Sequence, residues 1–60
     1  MQFKLWDTVK LKTGGPEMVI TTLMVDISNN EYAICKWTDD DKQLNMSDFL
    51  LNELEVIKQD

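Results

Sequence analysis

Few side chains in this 60-residue chain are equipped for chemistry. Gly14-Gly15 offers backbone N–H groups that can cradle a phosphate. Asp39-Asp40-Asp41 sets three carboxylates side by side, a donor set suited to Ca²⁺ or Mg²⁺. Cys35 is a lone thiol, and Lys4, Lys10 and Lys12 form a basic set around Trp6. Each has a plainer reading. No Gly-Lys-Ser and no helix start follow Gly14-Gly15, so it reads as a turn. A calcium loop needs spaced ligands, a glycine and a distal bidentate glutamate. Consecutive aspartates in a turn point apart, and here they read as a solvated hairpin tip that discourages edge-to-edge association. Lys36 follows Cys35 directly, and on a strand it projects from the opposite face, which leaves Cys35 as a buried structural thiol. Asn45-Met46-Ser47 matches a glycosylation acceptor by chance, given the absence of a secretory signal.

The inventory excludes more than it offers. The chain has no histidine and no arginine. Imidazole acid–base chemistry, catalytic triads and a neutral-pH histidine switch are therefore out. A zinc site within one chain lacks its usual ligands. No catalytic residue, metal set or cofactor site is expected. One cysteine cannot form an internal disulfide, which fits a reducing compartment. The apolar runs are far shorter than the roughly 20 residues of a membrane span. A cytoplasmic location is the default expectation. The formal charge is −5 and uneven: residues 1–20 carry three lysines against two acids, residues 21–60 three against nine. Nucleic-acid binding, which neutralises phosphate, is disfavoured.

The elements that must position these groups are strands. Residues 1–60 read as a single small domain. Phe3-Lys4-Leu5 and Val9–Lys12 alternate apolar with charged. This places Phe3, Leu5, Val9 and Leu11 toward a core and Lys4, Lys10 and Lys12 toward water. Gly14-Gly15-Pro16 ends that strand. A second strand runs from Met18 to Ile27, and its alternation slips at Thr21-Thr22, where a bulge restores one buried face. Ser28-Asn29-Asn30 is a turn. Glu31–Thr38 is a third strand, apolar on both parities and thus central. After the Asp39–Asp41 turn, Lys42–Met46 is a fourth. The tail is ambiguous: Met46, Leu50, Leu54 and Ile57 suit a helix, while a helical turn near Phe49–Asn52 and a fifth strand at Leu54–Ile57 fit better. The expected fold is all-β, a five-stranded SH3-like (KOW-like) barrel with one short helical turn near the C-terminus.

Phe3, Asp7, Val9, the run Leu11-Lys12-Thr13-Gly14-Gly15-Pro16-x-Met18, Cys35-x-Trp37, Phe49 and Leu54 resemble the YodC-like family of small bacterial proteins. The resemblance covers Phe3 to about Val56. It implies one small cytoplasmic bacterial domain and no particular activity. The family usually has glycine where Trp6 stands, an aromatic at Thr38, and a glycine in the turn occupied by Asp39–Asp41. A weaker likeness to KOW-type modules rests on the first strand and its glycine turn.

The expected function is therefore a non-catalytic interaction module for a protein or peptide partner. Trp6, Lys4, Lys10, Lys12 and Tyr32 are the candidate contacts, and capping of the barrel end is the competing role for Trp6. Self-association through Leu50, Leu51, Met24 and Met46 is a second reading. RNA or ribosome association through the three lysines is a third.

Overall fold

Turn chemistry divides the chain. A computed structural model describes residues 3–57 and shows five strands: β1 (Thr8–Leu11), β2 (Met18–Val25), β3 (Glu31–Thr38), β4 (Leu44–Leu50) and β5 (Leu54–Val56), with a single 3-10 turn at Leu51–Glu53. All pair antiparallel in one sheet of order β4-β3-β2-β1-β5. This order, with the 3-10 turn between β4 and β5, is the SH3-like arrangement. Among the described residues β4 and β5 share no ladder.

Parity decides the interior. In the β2–β3 ladder Ile20 stands opposite Cys35 and Leu23 opposite Ala33. Thr21 is the extra residue between Ile20 and Thr22. The bulge brings Leu23 back to the face that Ile20 occupies, as the slipped alternation requires. The Thr21 hydroxyl donates to the Ile34 carbonyl at 3.2 Å, which ties the irregular backbone to β3. Val9, Met18, Ile20, Ala33, Cys35 and Leu54 form the buried core, with Phe3, Leu11, Trp37, Phe49 and Val56 packed around it. Trp37 and Phe49 meet with tilted rings at 6.2 Å, a favourable aromatic geometry.

The two hairpins flanking β3 use the same device. Asp26 accepts from the N–H groups of Ser28 and Asn30, from Asn30 Nδ2 and from the Tyr32 hydroxyl. Asp39 accepts from the N–H groups of Asp41 and Gln43 and from Asn45 Nδ2. Asn29 and Lys42, each three residues on, adopt positive φ of 70° and 61°. The Asn30 amides hold the Asp26 carboxyl below its usual range, and the Gln43 N–H and Asn45 amide do so for Asp39. A carboxyl depressed in the folded state stabilises it above the unfolded pKa of about 3.9 and loses that effect as pH falls through the folded value. The thermal midpoint should therefore drop as pH falls below about 4. Double replacement Asp26→Asn and Asp39→Asn should flatten that dependence in a melting series. An unchanged slope in the double variant would show that other acids set it.

Several expectations are corrected. Leu5 is half-exposed rather than core, because Phe3 and Lys4 precede β1 outside any strand and Leu5-Trp6 form a turn. β2 ends at Val25, where the Asp26 hairpin takes over, and Ile27 is fully exposed. β4 spans Leu44–Leu50 instead of Lys42–Met46, since the Asp39 turn consumes Lys42 and Gln43. β5 covers Leu54–Val56, one residue short of the expected end. Although β3 is internal, its outer face carries half-buried Tyr32 and Ile34 and exposed Lys36 with no second layer over them among the described residues.

Candidate protein-interaction surface

Trp6 sits on a turn that a bulky residue rarely occupies. The Asp7 N–H donates to the Lys4 carbonyl at 3.2 Å, and the Lys4 N–H donates to Asp7 Oδ2 at 2.9 Å. Trp6 is the third residue of this four-residue turn and has φ of 74°. That position with positive φ is the glycine position of a type II turn. The backbone is fixed from the sheet side: the Trp6 N–H donates to the Ile20 carbonyl at 2.8 Å, and the Ile20 N–H donates to the Asp7 carbonyl at 3.0 Å. The indole is nevertheless 71% exposed. A left-handed backbone costs an L-residue roughly 1–2 kcal/mol. Here that cost brings little burial in return.

The ring borders a shallow groove of about 440 Å³ with Glu17, Val19, Lys36, Thr38 and Leu44. Register explains the assembly. Val19 pairs with Lys36 and Lys36 with Met46, while Thr38 pairs with Leu44. These outward residues form two cross-strand rows at the end of the sheet near the β3–β4 hairpin. Leu44 and Met46 are 68% and 61% exposed. The groove is largely apolar and carries one ammonium, Lys36, and one carboxylate, Glu17.

The five sequence-nominated contacts do not converge. Trp6 is in the groove. Lys10 pairs with Glu55 across the β1–β5 ladder, Nζ to Oε1 3.5 Å, with both side chains half-exposed. Lys4 and Lys12 border a wider hollow of about 1020 Å³ together with Glu31, Glu55 and Leu51. Both signs of charge line it, so it does not select an anion. Tyr32 faces outward at the opposite end of β3, its hydroxyl committed to Asp26. That bond, with a little burial, raises the phenol pKa above its usual value. Val19, Leu44 and Lys36 were not nominated. Their outward parity on β2, β3 and β4 is the signal that finds them once the strand bounds are known.

The remaining chemical candidates have structural roles. Cys35 is fully buried, and burial pushes its thiol pKa up, away from the reactive thiolate. Gly14 and Gly15 take φ of 106° and 126° in the β1–β2 turn. Asp39 holds the β3–β4 turn, with Asp40 and Asp41 exposed beside it. Among the described residues no group of three Cys, Asp or Glu side chains is placed to hold a metal ion. No described helix is long and apolar enough to cross a membrane.

Residues 4–54 match the family model described as "Uncharacterized small protein (DUF2158)". No curated protein and no solved structure matches the chain.

Proposed function

The chain belongs to that family of small proteins, whose description assigns no reaction, and from the surface we propose that it acts as a non-catalytic module gripping a protein or peptide partner through the Trp6 groove. One observation carries the reading. Trp6 is a large aromatic held in a glycine-type conformation and left exposed. Strained, poorly buried residues persist where they serve function, and exposed tryptophans are favoured binding anchors. Val19 and Leu44 supply apolar walls, and Lys36 and Glu17 offer one charge of each sign to a partner's polar groups. On the Leu11–Met18 stretch and Cys35-x-Trp37 we read the protein as YodC-like, bacterial and cytoplasmic.

Affinity capture from lysate of the source cells, with wild type, Trp6→Gly and Lys10→Gln as baits, tests this. The expected result is a partner retained by Lys10→Gln and lost by Trp6→Gly. Identical capture by all three baits removes Trp6 from the function. Nucleic acid is the weaker reading, because Lys10 is paired with Glu55 and Lys4 and Lys12 share their hollow with Glu31 and Glu55.

A further inference from the structure

We infer that a second copy of this chain pairs with the free edge of β4, antiparallel about a two-fold axis at Ser47. β4 is seven residues long and hydrogen-bonded on one side only, to β3, among the described residues. Proteins protect such edges with charged side chains, lysine above all, with proline, a bulge or a covering segment; β4 carries one charge, Asp48. Leu44-Asn45-Met46-Ser47-Asp48-Phe49-Leu50 has no lysine, no proline and an unbroken register with β3. Its outward residues, Leu44 and Met46, are among the most exposed apolar side chains of the protein.

The two-fold pairing is self-complementary. A two-fold axis normal to the sheet keeps the outer face outward, so outward residues must meet outward residues. With Ser47 opposite Ser47 of the second copy, all seven positions pair. Leu44 then faces Leu50 of the second copy, and Met46 faces its Asp48. The one charge of the strand meets a methionine, with no like charge directly opposite. The net charge of −5 argues against association in general, but the acidic Asp39–Asp41 tips fall at opposite ends of the joined ladder. Six steps of about 3.4 Å separate them by roughly 20 Å, against a screening length of about 8 Å at physiological salt. On the outer face the Leu44–Thr38 row runs on into Leu50, Tyr32 and Met24 of the second copy, since Leu50 pairs with Tyr32 and Tyr32 with Met24. A seven-residue ladder covers less than the roughly 800 Å² per partner of a standard stable interface. The dimer therefore dissociates on dilution.

Sedimentation of the full chain, from roughly 10 to 500 µM, tests it with two charge variants. Wild type should move from 7.0 kDa toward twice that mass as concentration rises. Met46→Asp sets a carboxylate opposite Asp48 of the second copy on both sides of the axis, and dimerisation should weaken at least about tenfold. Met46→Lys sets an ammonium there, and the dimer should persist and strengthen at low salt. Within the monomer Lys36, the cross-strand neighbour of Met46, favours aspartate and disfavours lysine at that position, so the variant expected to lose the dimer is the better folded of the two; melting curves check both variants. A wild type that stays at 7.0 kDa throughout, or two variants that dimerise equally, overturns the inference. Neither variant alters Trp6, so this outcome is read separately from partner capture.

Discussion

Ile20→Ala should leave a large fraction of the protein unfolded in water at 25 °C. Ile20 is fully buried at the centre of the sheet, opposite Cys35 and bonded through its backbone to Trp6 and Asp7. Truncating a buried isoleucine costs about 2–5 kcal/mol, because the lost transfer energy is joined by an unfilled cavity. A domain of this size holds only about 3–5 kcal/mol in total. The substitution removes most of it. The neighbouring Val19 is partly exposed on the outer face, and Val19→Ala should cost about 1 kcal/mol or less. The bulge makes the comparison sharper. Leu23→Ala should cost about 2 kcal/mol and Thr22→Ala little, although uninterrupted alternation from Ile20 would turn Thr22 inward and Leu23 outward. Urea unfolding of the four variants reads the register directly. Equal losses at positions 22 and 23 would show that the bulge is misplaced.

That register was legible in the residues because its signals are local. Met18 and Ile20 on one parity and Leu23 and Val25 on the other leave a bulge as the simplest repair. β3 is bounded on both sides by turn residues, and its limits of Glu31 and Thr38 are those expected. The edges were harder. β4 turns Leu44 and Met46 outward and Asn45 and Ser47 inward, so the polarity of its first half is the reverse of a normal half-buried strand, while Asp48 outward and Phe49 inward follow the ordinary pattern. With Leu50 and Leu54 at helical spacing, the segment resembles a helix from sequence. Propensity and periodicity report burial, and an edge strand with one open face is weakly constrained by either. The lead-in to β1 failed for a different reason. A turn at Lys4–Asp7 has no glycine, asparagine or proline to announce it, and Trp6 in a left-handed conformation is invisible to turn rules.

The candidate surface divides along the same line. Parity with Lys4 and Lys10 left Trp6 open between exposure and capping of the barrel end; the turn at Leu5-Trp6, which exposes both residues, decides for exposure. The neighbours of Trp6 in the groove did not follow from the sequence, because Val19, Lys36 and Leu44 come from three strands and meet only through the ladder. Lysines close in sequence were an unreliable guide for the converse reason: Lys10 is taken up by Glu55, which also lines the hollow that Lys4 and Lys12 border, and none of the three borders the Trp6 groove.

Trp6→Gly and Trp6→Ala should behave alike toward a partner and differently toward heat. Both remove the indole, and loss of a tryptophan hot spot costs about 2 kcal/mol or more, roughly thirtyfold in Kd. Both also forfeit the modest packing of a ring that is 71% exposed. Alanine keeps the Cβ that clashes at φ of 74°, whereas glycine does not. The glycine variant should therefore be the more stable of the two by about 1 kcal/mol, a midpoint several degrees higher in a domain this small. The sign is informative because glycine in regular structure is normally worse than alanine by roughly 0.5–1 kcal/mol. A glycine variant less stable than alanine would mean that the turn is not strained at Trp6. The strongest reason to regard that side chain as kept for contact would then be gone.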